Sequence, residues 1–336
     1  MRTGSLLLGI ALLVGCGDNL DLDGEPDTGE RPAARGEETG GAGRVEPGGE
    51  QAPAQAEVLV KDALGASDLQ VAGDRIYFVA KSDLAWELRW VRPTGGPVMT
   101  ALDFGDLRPV DVVFAGDDVY WIAGRGGRVL RTSMATTGPS EVLYADRGAP
   151  PTALAVGKKA IYMGLADGCV RRIWLGEDPA VERIACTAGT PVVIAADEPD
   201  VYWGTAEGAL FHWDGGAADK RISGESFDSR LAIDGGSVYW LNAHARAVQV
   251  MECDAHGAKP LATAQYAPVG MAMDASWIYF TTWSDESVKR VAKVESPVEV
   301  LADQQAEPAD IALHGDRAYW LNEGQGTIMA LQIQQP

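Results

Sequence analysis

Histidine and cysteine are scarce in this chain, with four of each among 336 residues. His212, His244, His256 and His314 stand at no mutual spacing that would gather two of them on one metal, and each reads as a surface or turn residue. Cys16, Cys169, Cys186 and Cys253 contain no two-plus-two pattern, which leaves a zinc site without a signature. Long apolar runs are missing as well. The longest, residues 6–13, is too short to cross a bilayer. No window sustains a helical period, which argues against a helical domain. Basic residues are outnumbered, 28 Lys and Arg against 48 Asp and Glu, for a formal net charge of -20. An acidic body of this kind disfavours nucleic acid and anionic lipid surfaces as partners. The Gly-x-Ser-x-Gly elbow is absent, and Ser223-Gly224-Glu225-Ser226 lacks a strand-to-helix setting for a nucleophile. Gly124-Arg125-Gly126-Gly127 joins two strands instead of opening a helix, so it reads as a turn and not as a phosphate cradle. No catalytic constellation and no cofactor motif emerges.

What the chain does contain is one word repeated seven times. Ile76-Tyr77-Phe78, Val119-Tyr120-Trp121, Ile161-Tyr162-Met163, Val201-Tyr202-Trp203, Val238-Tyr239-Trp240, Ile278-Tyr279-Phe280 and Ala318-Tyr319-Trp320 are its copies. Their tyrosines lie 43, 42, 40, 37, 40 and 40 residues apart. A period near forty is the size of one four-stranded propeller blade. Within each copy an apolar run such as Leu231-Ala232-Ile233 precedes an Asp/Gly turn, then the aromatic strand. An alternating strand such as Ala209-Leu210-Phe211-His212-Trp213 follows, then an outer strand such as Glu141-Val142-Leu143-Tyr144. Short strands with turn signals every eight to twelve residues predict an all-β fold. Adjacent aromatics on alternate faces of an inner strand would fill both interfaces with neighbouring blades, so they read as core and not as a ligand cage.

The count predicts a seven-bladed β-propeller over residues 56–336. The last copy has only three strands before the chain stops at Pro336, while Glu57-Val58-Leu59-Val60 resembles the outer strand Val298-Glu299-Val300-Leu301. We therefore expect the N-terminal strand to close the ring by pairing into the seventh blade, which removes an exposed sheet edge.

Residues 1–15 read as a signal peptide, with Arg2 as its positive start. It ends in Leu13-Val14-Gly15-Cys16, which resembles the bacterial lipobox. That resemblance implies cleavage before Cys16, lipid on its new N-terminus, and a membrane anchor with no transmembrane helix. From there to residue 55 the chain is rich in Gly, Pro and acids, ten acids against Arg31, Arg35 and Arg44, and reads as a disordered tether. Asn19, Asp21, Asp23, Gly24, Asp27 and Glu30 match calcium-loop positions, but Pro26 and the lack of flanking helices favour a solvated charge run. Folding the hairpin around Gly176 about its centre sets Cys169 opposite Cys186, where a cross-strand disulfide is expected. Cys253 is then left over, as a free thiol or an intermolecular link.

Propeller loops between second and third strands, and those entering each first strand, gather on one face. Here they carry Arg125, Arg147, Glu225, Asp228, His244, Arg246, Trp283, Asp285, Glu286, Asn322 and Glu323. Trp283, flanked by Ser284-Asp285-Glu286, is the most pointed of these, since an exposed loop aromatic serves recognition.

The repeats Val238-Tyr239-Trp240-Leu241-Asn242 and Ala318-Tyr319-Trp320-Leu321-Asn322 resemble the YWTD-type propeller repeat, nearest to variants in secreted and lipid-anchored proteins of delta-proteobacteria. Where that family has Thr-Asp this chain has Leu-Asn, Gly-Thr, Ile-Ala or Thr-Thr, and the family usually has six blades. The resemblance implies a propeller in the cell envelope, on the periplasmic or outer-membrane face. The expected function is non-catalytic binding or scaffolding of an envelope protein or polymer. The alternative is a propeller enzyme, or a small-ligand or metal receptor, with its site at the central channel. Glu225, Asp228, Asp285 and Glu323 are the carboxylates from different blades that would have to converge there.

Overall fold

The structure is a computed structural model that describes residues 55–333, apart from 125, 126, 137, 177–179, 228 and 295. The signal, Cys16 and nearly all of the tether lie outside the described residues. Seven four-stranded antiparallel sheets make up the fold, with no helix among the described residues. It is a seven-bladed β-propeller. In blades 1 to 6 the strands run outward in chain order, the first strands being Ser67–Ala72, Val112–Ala115, Pro151–Val156, Pro191–Asp197, Ala232–Asp234 and Pro268–Met273. Blade 7 takes Pro308–His314, Arg317–Asn322 and Thr327–Gln332 from the C-terminal end. Its fourth strand is Glu57–Val60, antiparallel to Thr327–Gln332 with Val58 opposite Met329. The ring is thus closed by its own N-terminal strand.

The repeated word explains why the blades stack. Its tyrosine and the residue after it lie on opposite faces of the second strand, and each interface takes one from either side. Tyr77 of blade 1 shares a cluster with Trp121 of blade 2, and Tyr120 of blade 2 with Met163 of blade 3. Tyr162 then packs with Trp203, Tyr202 with Trp240, Tyr239 with Phe280, and Tyr279 with Trp320. Tyr319 of blade 7 and Phe78 of blade 1 complete the circle. Each ring of this size removes roughly 150–250 Å² from water, so the seven interfaces together form the core.

Polar latches add direction to the apolar stacking. At six interfaces the loop leaving one blade donates a backbone N–H to a second-to-third-strand turn of that blade: Ala63 to Gly326, Asp146 to Gly127, Thr187 to Gly168, Glu225 to Gly208, Gln265 to Arg246 and Gln305 to Glu286. Four of the same residues reach forward with their side chains. Thr187 Oγ1 accepts from the Trp203 indole, Glu225 Oε2 from Trp240 and Asn242, and Gln305 Oε1 from Trp320 and Asn322. Blade 6 has Phe280 in place of tryptophan, and Gln265 Oε1 accepts from Lys289 instead. The left-handed backbone at Asp62, Ala264 and Gln304, just before three of the donors, belongs to this latch.

Cys169 and Cys186 stand directly opposite each other in blade 3 and are joined by a disulfide. Cys253 is buried and is not a free thiol, which corrects that part of the expectation from cysteine counting. His212 likewise departs from a surface or turn position. It is 7 % exposed, its Nε2 lies 2.5 Å from Asp200 Oδ1, and its Nδ1 accepts from Arg221. A strand that alternates in sequence is buried on both faces here, because the neighbouring blade covers the second one.

Candidate functional site

The rim predicted from loop positions exists as one face, since the latches tie the entry loops to the second-to-third-strand turns. Its polar residues, however, divide into several kinds. Glu225 and Asn322 are turned into the latches, and Asn322 is 3 % exposed. Asp285 pairs with Lys289 at 2.7 Å. Arg147 lines a second cavity of about 490 Å³ between blades 2 and 3, with Gly124 and Pro151. His244 is exposed, and Glu323 is exposed at the channel side of the rim. Arg125 and Asp228 lie outside the described residues. Trp283 stays 42 % exposed, and its backbone N–H donates to Ala267 O, beside Tyr266, itself 45 % exposed. The Arg246 guanidinium lies over the Tyr266 ring, 4.6 Å from its centroid. Two exposed aromatics and a stacked arginine thus form a patch where blades 5 and 6 meet.

A second feature was not found from the loops. The central channel holds a cavity of about 650 Å³ lined by the first strands, with Leu69, Leu154, Ile194, Leu231, Met271 and Ile311 among its apolar walls. One position of each blade, the residue nine before each repeat tyrosine, marks a ring at its mouth, and six of the seven line the cavity. Read in order from blade 7, these are Asp310, Asp68, Asp111, Ala153, Val193, Arg230 and Gly270. In blades 1, 3, 4, 6 and 7 the strand pairing is irregular at this point, and a bulge re-aims a side chain. Three carboxylates are therefore consecutive on one arc, small neutral residues flank them, and one arginine stands across the channel.

The arc is partly satisfied by backbone. Asp310 Oδ2 accepts from Asp68 N at 2.7 Å, and Asp111 accepts from Leu154 N at 2.8 Å and Val112 N at 2.9 Å. Asp68 has φ 55°, a left-handed conformation that aims its N–H at Asp310. Crowding and burial have electrostatic effects. Burial, with Asp310 beside it, raises the Asp68 carboxyl above its ordinary range. Burial pushes Asp111 up to about 6, against the pull of Arg230 and the backbone donors. Glu323 is raised by partial desolvation beneath its exposed surface and by Asp310 and Glu307, with Arg108 opposing. Chemically the mouth offers negative charge on one side, a guanidinium on the other, and a carboxyl that burial raises to about 6. Among the described residues no histidine or cysteine lines the cavity, and no group of three or more His, Cys, Asp or Glu side chains has metal-holding geometry.

Of the carboxylates expected to converge, Glu323 joins this cluster, Glu225 and Asp285 do not, and Asp228 lies outside the described residues. Asp310, Asp68 and Asp111 were missed, although they share a fixed offset from the repeat tyrosine that shows once the copies are aligned on it.

No family model matches the chain, and no curated protein does. Among solved structures the likeness is to other propellers. Virginiamycin B lyase from Staphylococcus aureus has a TM-score of 0.64 at 14% identity, covering 84% of this chain and 99% of that one. BamB from Moraxella catarrhalis has a TM-score of 0.53 at 14% identity, over 79% of this chain and 84% of that one. A nidogen/laminin complex gives 0.51 at 15% identity, over 68% and 93%. The propeller fold is what they share.

Proposed function

We propose that this protein is a lipid-anchored, non-catalytic binding protein of the bacterial envelope that holds a protein partner on its rim face. The observation that carries this reading is the exposed patch of Trp283, Tyr266 and Arg246. Trp, Tyr and Arg are the residues in which binding energy concentrates at interfaces, because they bury much surface at little conformational cost. They are displayed on a stacked ring, so little loop ordering opposes association. Two similar propellers give the reading some support: one is BamB, and another was solved as a nidogen/laminin complex. In this reading Cys16 carries the lipid and residues 16–55 are the tether that lets the disc reach a partner near the membrane.

The test is an in-cell crosslink and capture with the full-length protein, a Cys16→Ala form and a Trp283→Ala/Tyr266→Ala form. One envelope protein recovered with the first and lost with the third is the expected result. Equal recovery with the double variant would sink the rim assignment. Mass spectrometry of the mature N-terminal peptide tests the anchor, and Cys16 found without acyl chains, or in a disulfide, would overturn it. A second reading, a small-ligand receptor with its site at the central channel, rests on the charged ring at the channel mouth.

A further inference from the structure

In every blade the outer strand pairs with the third strand through a bulge at the same place, which leaves one outer-strand residue with no opposite number. In six blades that residue is apolar. Leu59, Ala101, Leu143, Ile184, Leu261 and Leu301 each pack into the cluster that seals their blade on the next. Blade 4 has a charge there instead, Arg221.

The Arg221 side chain is 12 % exposed, and its Nη2 donates to His212 Nδ1 at 2.7 Å. An arginine can only donate, so Nδ1 is an acceptor and the ring proton sits on Nε2, facing Asp200 Oδ1 at 2.5 Å. A second proton on His212 would set an N–H against the guanidinium, two donors at hydrogen-bond distance. Asp200 favours that proton and Arg221 opposes it, so its uptake requires Arg221 to leave. Arg221 has an alternative partner close by. Its Nε is buried without a hydrogen bond, 3.4 Å from Asp219 Oδ2. The same oxygen lies 3.1 Å from His256 Nε2, in the outer turn of blade 5. Tyr202 stacks on the imidazole with centroids 4.4 Å apart, and Asp214 and Asp254 act on Tyr202 from the turns of blades 4 and 5.

We propose that Asp200, His212 and Arg221 form a proton-operated catch on the outer strand of blade 4, Asp219–Ser223. With His212 neutral, Arg221 is seated and the strand is fastened at the blade 5 interface. When His212 takes up a proton, Arg221 turns to Asp219 and the strand loosens. The released state holds one more proton than the seated one, so falling pH favours it and rising pH resets the catch. An apolar residue at the bulge, as in the other six blades, would fasten the strand at every pH. Packing alone therefore does not account for a buried arginine at this position. The catch is independent of both the rim partner and the channel.

The experiment is amide hydrogen exchange, read by mass spectrometry on the purified full-length protein from about pH 8 to about pH 5, the span in which imidazoles titrate. Exchange times are scaled to the chemical rate at each pH. Protection of residues 219–223 should fall at least about tenfold across that span, the loss of one charge-assisted hydrogen bond. The outer strands of blades 2 and 6, Glu141–Ala145 and Glu299–Ala302, should keep theirs. Arg221→Leu supplies the residue type of the other bulges, and His212→Gln keeps a donor and an acceptor but cannot titrate. Each should remove the pH dependence, whereas His256→Gln should leave it in place. Thermal melting in the alkaline buffer checks that the variants fold. Wild-type protection that does not fall, or falls equally in the reference strands, overturns the proposal whether or not the variants fold. So does a fall that persists in His212→Gln or in Arg221→Leu, or one that disappears in His256→Gln.

Discussion

Asp111 shows how much one residue's surroundings decide. By composition it is one of 48 acids. In the fold its carboxyl sits between two blades at the channel mouth, where burial raises it from 3.8 to about 6. The folded state therefore holds more protons at this site than the unfolded chain between those two values. Stability drawn from Asp111 is greatest below that window, falls as pH rises through it, and levels off above about 6. Asn in its place cannot ionise but still accepts one of the two backbone N–H groups. The melting temperature of Asp111→Asn relative to wild type should climb between pH 4 and pH 6, the range of that shift, and then stay level. Parallel melting curves across that range would show that the carboxyl is not perturbed. His212 teaches the same lesson from the other direction. Its place on an alternating strand was legible, but its burial against Asp200 and Arg221 depended on which blade covers that face.

At the scale of the element, the loops that join blades have a second use beyond turning the chain. Glu225 bonds back to blade 4 through its N–H and forward to Trp240 and Asn242 of blade 5 through its carboxylate. Glu225→Ala leaves an indole N–H and an amide unpaired beneath the rim, and should cost about 1–3 kcal/mol. Glu225→Gln keeps an acceptor and should cost less. The midpoint of urea unfolding, at unchanged slope, measures both. An alanine variant as stable as wild type would mean that the latch adds nothing to stacking. Sequence alone could not separate Glu225 from Glu323, since both are acids in rim loops. The first faces a tryptophan of the next blade, and the second faces the channel. Their environments differ because of the blade beside each, not because of the residues next to them in the chain.

At the scale of the molecule, the ring is held shut by four residues, Glu57–Val60, on the last strand of blade 7. Val60 is 5 % exposed and belongs to the cluster at the junction of blades 7 and 1. Deleting residues 57–60 should expose a strand edge, broaden thermal unfolding and promote self-association, as read by light scattering during the melt. A deletion variant that stays monomeric and melts as sharply as wild type would show that the closure is dispensable. The closure was legible beforehand because the missing strand and the spare strand share a pattern.

The number of blades, their order, the paired aromatics and the place of closure were all determined by the sequence alone. Each blade packs on its neighbours in the chain, so a period near forty and one repeated word contain the needed information. Only the tertiary structure decided the channel mouth. Asp310 and Asp68 are 242 residues apart, yet they share a hydrogen bond, because closing the ring makes the last blade the neighbour of the first. A ring position is set by curvature summed over seven blades. The offset from each repeat tyrosine is written in the sequence, but it becomes a ring with three adjacent carboxylates facing one arginine only when that curvature closes the circle.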